Sequence, residues 1–495
     1  MRILLFSSIL LLIYSCGNGN GTSDSTSDSS DSVSPSSDST SSSTDECLIS
    51  NAQTSNAAYG EYVALEKLSS LDKETVAATF TQRSEALGNA ITSGVHIYKI
   101  SYNSMESSAS SSTTQASGLL IIPYTACDGD VNQAPWAVVN HGTIIDNASA
   151  PTNNPSEGLF EGGLGFITLV PDYIGYGDSY NSDPSIRIHP YIIADAYATD
   201  GYAMMKASKQ VLAANNIQLG NLYIKGYSEG GYAALALQKY LEANHSSEFP
   251  ITASAPTAGP YSTLLMSETL TSTSGRQAPI SPTLFGFIAT SYWYNYSTTI
   301  GAVYSDFSDV FLKTDEYSPG TLFNGTKSYT VTDTTYAGFG ITTMATLMTS
   351  SILDAMNAKV DGLGTNLGTN NISGVQTILL GIGSDEPMTT QLRVNDLIFS
   401  SFGSYTVSIP TIFYHCSDDS TIPALITSSA YGLLGGGVNP NVFTNTSQTG
   451  GHSACAFSLT PTICFKEIEA SLSASDSNTA VGYLTSPASG SACNN

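Results

Sequence analysis

Positive charge is what this 495-residue chain has least of: 16 Lys and Arg stand against 41 Asp and Glu, a formal net charge of −25. Nucleic acids and anionic membranes are gripped through clustered cations, so binding either through a basic patch is excluded. The apolar run Ile3 to Ile13 is too short for a stable membrane span. No internal repeat is found, and no cysteine or histidine spacing matches a zinc site. A hydrophobic content of 41% is ordinary for a globular protein, and the length allows two or three domains with a large core. Small neutral or apolar substrates remain open.

The start of the chain sets its compartment. Met1-Arg2 is weakly basic, the apolar run follows, and Ser15 places a small residue before Cys16, so residues 1–15 read as an export signal. Cys16 resembles the thiol of a bacterial lipobox, which is diacylated and becomes the mature N-terminus, anchoring the protein to a membrane through lipid. Ordinary cleavage and release near the same place is the alternative. Residues 16–46 then form a tether, since 17 to 45 are nearly all Ser, Thr, Asp, Gly and Asn and have almost nothing apolar to offset the entropy of ordering. Cys47, Cys127, Cys416, Cys455, Cys464 and Cys493 remain, an even number in an exported chain, which predicts three disulfides. Cys455 with Cys464, and Cys47 with Cys127, are the local pairings.

From Cys47 onward the text is globular. Residues 61 to 87 carry helical spacing, and Val95 to Ile100 alternates like a half-exposed strand. Ala116 to Pro123, Trp136 to Asn140, Phe166 to Pro171, Leu222 to Tyr227, Ile251 to Ala255, Pro410 to Tyr414 and Val442 to Asn445 are further strand-like runs. Helical stretches such as Ile193 to Ala214 and Tyr232 to Asn244 separate several of them, the alternation of an α/β fold with a mainly parallel, doubly wound sheet. Between Ala255 and Pro410 about 150 residues break that alternation, far more than one crossover helix needs. They predict an inserted subdomain over 262–405, dividing the core into 47–261 and 406–495. Within it, the aromatic segment Leu284 to Tyr294 and the helically spaced Ile341, Met344, Ala345, Met348, Ile352 and Met356 read either as the insertion's own core or as a pliant apolar wall over a pocket.

The most informative segment is Gly226-Tyr227-Ser228-Glu229-Gly230, which follows the strand-like Leu222 to Lys225 and leads into the helix-like Tyr232 to Leu237. That context is a nucleophile elbow, a sharp turn that holds a serine hydroxyl above the sheet edge. A serine is a poor nucleophile at neutral pH and needs a base, and the base needs a carboxylate to fix its tautomer. Asp418 and Asp419 supply candidate acids in the loop after Pro410 to Tyr414, the end of a strand where open α/β sheets build their sites. His452, in Gly450-Gly451-His452-Ser453, is the candidate base, being the only histidine in a flexible loop beyond those acids. His415 reads as structural, and His96, His189 and His245 fall outside the elbow's context. Charge developing on a carbonyl oxygen needs donors: the Glu229 N–H, its carboxylate free to point to solvent, and the Thr143 N–H after the Trp136 to Asn140 strand, with Gly142 letting that loop pass close to substrate.

With these pieces in place the chain resembles the secreted lipase and esterase branch of the α/β-hydrolase superfamily, from about Val95 to Phe465 apart from the insertion. Pro171-Asp172-Tyr173-Ile174-Gly175-Tyr176-Gly177-Asp178-Ser179, and His189-Pro190-Tyr191 leading to Ala194 to Ala207, carry the resemblance further. It implies an α/β-hydrolase fold whose insertion is a cap, or lid, between the sixth and seventh strands. The family's frame of a His-Gly or similar pair, two residues, the Asp, two more, then Val-Pro or Ile-Pro selects Asp419. Asp418 is then the runner-up, a solvated residue helping to cap the next helix, and Cys416 stands where relatives carry glycine. The implied activity is hydrolysis of carboxylic esters by Ser228, Asp419 and His452, with no metal or organic cofactor and with small-molecule or lipid esters as partners. A peptidase of the same fold, of the compact aminopeptidase kind, and a non-catalytic surface binding protein are the alternatives.

Overall fold

The computed structural model describes residues 58–493 apart from 106–112, 129–132, 183–187, 316, 384, 401–403, 453–458, 476–477 and 488–490. The signal, Cys16, the tether and Cys47 lie outside the described residues. The strands are β1 (Tyr62–Leu71), β2 (Val95–Ser104), β3 (Thr114–Pro123), β4 (Ala134–Asn140), β5 (Ile167–Pro171), β6 (Leu219–Tyr227), β7 (Ile251–Thr257), β8 (Thr411–Cys416) and β9 (Val442–Gln448). They form one sheet in the order β1-β2-β3-β5-β4-β6-β7-β8-β9. The first three pair antiparallel, β3 meets β5 antiparallel, and from β5 to β9 neighbours run parallel.

Near-continuous apolar runs suit this sheet because helices bury both of its faces. Val138, Leu222 and Ile224 point to one side, where helices α3 (Ala194–Ala214) and α4 (Glu229–Asn244) pack Met204, Leu237 and Leu241 against them. Ala137, Val139 and Tyr223 point to the other, against Val76 and Phe80 of α1 (Lys73–Thr81) and Phe465 and Ile468 of α9 (Thr460–Ala474).

The helical reading of residues 61 to 87 is corrected for its first part. Tyr62–Leu71 is β1, and helix starts only at α1, where the Asp72 carboxylate accepts from the Thr75 N–H at 2.7 Å, with α2 (Glu85–Ala90) following. Two register shifts against β2, at Tyr62/Ala64 and Lys67/Ser69, break the two-residue alternation that would have marked a strand.

Between β7 and β8 the described residues form helices and no named strand, among them α5 (Thr263–Thr271), α6 (Pro282–Asn295), α7 (Ser350–Val360) and α8 (Pro387–Val394). One buried carboxylate ties the two ends of this insertion together: Asp396 accepts from the Ser262 hydroxyl at 2.7 Å and the Leu264 N–H at 3.0 Å where the chain leaves β7. It accepts from the Ile398 N–H at 2.9 Å and the Phe399 N–H at 2.6 Å where the chain returns. The aromatic segment lies in α6, and Phe287 stacks on Tyr191 at 4.4 Å between ring centroids. The Ile341 to Met356 run is two helices, not one, because the Thr349 N–H pairs with Val310 O and the Leu312 N–H with Leu347 O, drawing the main chain out of the helix.

Cys464 of α9 is bonded to Cys493, which overturns the Cys455–Cys464 pairing: the separation of 29 residues is bridged because the chain folds back onto α9. Cys127 and Cys416 are also disulfide-bonded. Among the described residues no helix is long and apolar enough to cross a membrane.

Candidate active site

The elbow joins β6 to α4, and Ser228 at its apex has φ 58° and ψ −120°, a conformation that costs on the order of 1–3 kcal/mol in a non-glycine residue and is held only by its surroundings. Those surroundings are tight. A Cβ on Gly226 would lie 2.0 Å from Gly230 O, and one on Gly230 would lie 2.0 Å from Asn140 O, so both positions must be glycine. Asn140 pairs in register with Gly226, which brings the loop after β4 directly against the elbow. The Ser228 N–H is held by Thr257 O at 2.9 Å, at the end of β7.

Ser228 Oγ lies 2.9 Å from Nε2 of His452, and Nδ1 of His452 lies 2.6 Å from Oδ2 of Asp419. A serine hydroxyl that donates to one ring nitrogen while the other donates to a carboxylate is poised for proton removal. Burial alone would raise the Asp419 carboxyl. Hydrogen bonds from His415 and His452, the His452 charge and the Ile422 N–H outweigh it and hold the group well below the usual carboxylate range.

The neighbouring acid does different work from the one expected. Asp418 does not cap the helix that follows Pro423; its carboxylate accepts from the Gly450 N–H at 2.9 and 3.0 Å and from the Gly451 N–H at 2.9 Å, and so grips the segment that presents His452. Both glycines have positive φ, 125° and 72°, which lets two successive amides turn toward one carboxylate. Tyr227 completes the grip, its hydroxyl donating to His452 O at 2.5 Å and its ring packing at 4.9 Å from the imidazole. His415 is buried, as its reading as structural expects, and it supports the acid: Nε2 lies 3.3 Å from Asp419 Oδ2 and 2.9 Å from Ile422 O.

Glu229 departs from expectation. Its carboxylate is buried rather than solvated, 1% exposed, with Oε1 3.0 Å from His189 Nε2 and 2.9 Å from the Tyr197 hydroxyl. Its N–H, at the first residue of α4, has no intrahelical acceptor and is available to a ligand. The Thr143 hydroxyl is bonded to the Tyr191 hydroxyl at 2.8 Å. The loop 141–145 is further held by Tyr173, which donates to His141 O at 3.0 Å, and Tyr176, which donates to Ile144 O at 2.6 Å. A Cβ on Gly142 would meet Tyr227 at an ordinary 3.4 Å, so nothing inside the protein requires glycine there. His189 and Tyr191 were missed as neighbours of the site; the His-Pro-Tyr motif was the signal that could have found them.

Ser228 is covered, 8% exposed. Among the described residues, cavities lined largely by the insertion include two that do not count Ser228 or His452 in their walls. One is a slot of about 550 Å³, open in part to solvent. Its wall is apolar and includes Met266, Met344, Met348, Met356 and Met388, five of the nine methionines in the chain. Ile192 and Pro260 at its edge follow directly on Tyr191 and Gly259, and Gly259 packs against Gly231 in the first turn of α4. The second cavity shares Met266, Leu270 and Phe285 with the slot and reaches Ser420 and Thr421, next to Asp419. Among the described residues no group of three or more His, Cys, Asp or Glu could hold a metal ion.

No protein-family model matches the sequence, and comparison with curated proteins finds no match. Solved structures do match. A ligand-bound form of the rice cell wall degrading esterase LipA from Xanthomonas oryzae aligns with a TM-score of 0.61 at 21% identity, covering 80% of this chain and 93% of that one. A candidate hydrolase from Legionella pneumophila aligns with a TM-score of 0.64 at 19% identity, over 82% of this chain and 97% of that one. Lipase A from Candida antarctica aligns with a TM-score of 0.52 at 14% identity, over 86% and 84%. These likenesses are of architecture, and with the sheet order and the elbow they identify this chain as having the α/β-hydrolase fold.

Proposed function

We propose that the protein is an exported serine hydrolase that cleaves carboxylic esters, with Ser228 as nucleophile, His452 as general base and then acid, and Asp419 as the group that orients the imidazole. The observation that carries the reading is the unbroken relay of 2.9 Å from Ser228 Oγ to His452 Nε2 and 2.6 Å from His452 Nδ1 to Asp419 Oδ2. In the proposed reaction Ser228 Oγ attacks the ester carbonyl carbon as His452 Nε2 takes its proton. The Glu229 and Thr143 amides hold the oxyanion, and His452 returns the proton to the departing alcohol. Water then enters by the same route and releases the acid. The helices between β7 and β8 act as the cap, and the methionine-lined slot, with almost no polar wall, suits an acyl chain. Cys16 carries the lipid anchor, and the acidic tether holds the enzyme clear of the membrane.

The test is labelling by a fluorophosphonate together with turnover of a chain-length series of nitrophenyl esters. Wild type should label at Ser228 and turn over, whereas Ser228→Ala should fold, fail to label and lose turnover. Esterase turnover retained by Ser228→Ala would refute the assignment.

A further inference from the structure

The His-Pro-Tyr motif of residues 189 to 191 contacts the side chains of both residues whose amides are assigned to the oxyanion. His189 is 1% exposed and is reached from both sides: Nδ1 lies 2.6 Å from Ile174 O, while Nε2 lies 3.0 Å from Glu229 Oε1. A carbonyl can only accept, so Nδ1 carries a hydrogen. Nε2 also lies 3.0 Å from the Tyr197 hydroxyl, so this imidazole meets Glu229 Oε1 and a phenol together. Tyr197 anchors the same oxygen at 2.9 Å and receives the Ile192 N–H at 3.1 Å, which closes a ring of contacts from the motif to the first residue of α4. Oε2 of Glu229 is buried and has no hydrogen-bond partner among the described residues.

Two residues on, Tyr191 bonds the Thr143 hydroxyl at 2.8 Å and stacks on Phe287 of α6 at 4.4 Å, with 8° between the rings. The motif therefore grips one amide-bearing residue with His189 and the other with Tyr191. A peptide N–H stabilises a developing oxyanion only if it is fixed before the charge appears.

Resting on the hydrolase reading above, we propose that His189 and Tyr191, with the buried Glu229 side chain, are positioning residues that set the spacing of the Glu229 and Thr143 amides and so fix the geometry of the oxyanion hole. Glu229 thereby has two separable parts: a main-chain donor that meets the oxyanion and a side chain that fixes where this donor points. Tyr191, through Phe287, also links that spacing to the insertion.

The proposal is tested on the full-length protein by comparing wild type, Glu229→Ala, Glu229→Gln and Tyr191→Phe. For each, kcat is taken per serine titrated with fluorophosphonate, beside KM for a short-chain nitrophenyl ester, so unfolded protein is not counted. Glu229→Ala should lose kcat by about tenfold to a hundredfold, part of what a missing donor costs, with KM nearly unchanged because the amides act on the transition state. Glu229→Gln keeps a hydrogen-bonding oxygen for His189 and should recover most of the loss. Tyr191→Phe, which removes one hydroxyl, should lose kcat by about threefold to tenfold. If Glu229→Ala keeps kcat per titrated serine within twofold and loses only thermal stability, the side chain is structural and the proposal falls. Should that variant yield no titratable serine, Tyr191→Phe decides alone by the same criterion. Failure of wild type to label would instead refute the hydrolase reading, a separate result from labelling with unaltered kcat.

Discussion

Around Ser228 the side chains are fixed by directional polar contacts drawn from distant parts of the chain, with the elbow after β6, the acid loop after β8 and the glycine loop after β9 meeting within hydrogen-bond reach. In the slot of the insertion the opposite holds: five methionines line the wall, where the polar side chains are those of Thr263, Ser267 and Thr271. Hydrogen bonds specify one arrangement, whereas thioether chains repack with little penalty. The comparison teaches that a rigid chemical apparatus and an adaptable apolar chamber are built from different materials. They meet at few residues, so they should respond to substitution in different ways.

Asp419→Asn gives the largest break on the rigid side. An amide offers the imidazole the wrong partner and favours the wrong tautomer, so kcat should fall by about 10⁴-fold with the fold intact, measured by ester turnover and circular dichroism. Asp418→Ala sharpens the same side: the loop of Gly450 and Gly451 loses its anchor but His452 keeps Asp419, and kcat should fall by about tenfold through misplacement of the ring. Equal losses for the two acids would show that the division of labour read here is wrong.

On the adaptable side, Met348→Trp should leave turnover of acetyl esters within about twofold while cutting that of long-chain esters severalfold, because the slot is filled and the relay is untouched. A uniform loss across chain lengths would place the slot outside the substrate's path. The smallest effect expected is on stability. Burial pushes the Asp200 carboxyl up to about 7, with the Tyr102 hydroxyl donating to it at 3.1 Å. The folded state thus keeps a proton that the unfolded chain releases near pH 4, so stability should fall as pH rises from about 4 to about 7 and stay reduced above that. Asp200→Asn should flatten this slope by a few degrees in Tm, and an unchanged slope would show that other groups set it.

Much of the architecture was readable because burial on both faces makes parallel strands continuous in apolar residues, as in Trp136 to Asn140 and Leu222 to Tyr227. β1 was not, since its bulges disturb the periodicity and its partner lies elsewhere in the chain. At the candidate site, Ser228 and His452 could be named from local context and chain order, and Asp419 could be preferred to Asp418 only through the resemblance. The tasks of Asp418, Glu229, Asp396 and His189 could not, because each depends on which backbone amides or rings come near only after folding. Glu229 is instructive: beside an exposed-looking serine an acid reads as solvated, yet the tight turn drives it down into a nest of tyrosines.

The Asp396 knot has one further implication. By fastening the outgoing and returning ends of a long detour at a single carboxylate, it fixes where the detour leaves the sheet and where it rejoins it. A detour closed in this way can be lengthened or rewritten over evolutionary time while its two ends keep their place on the sheet.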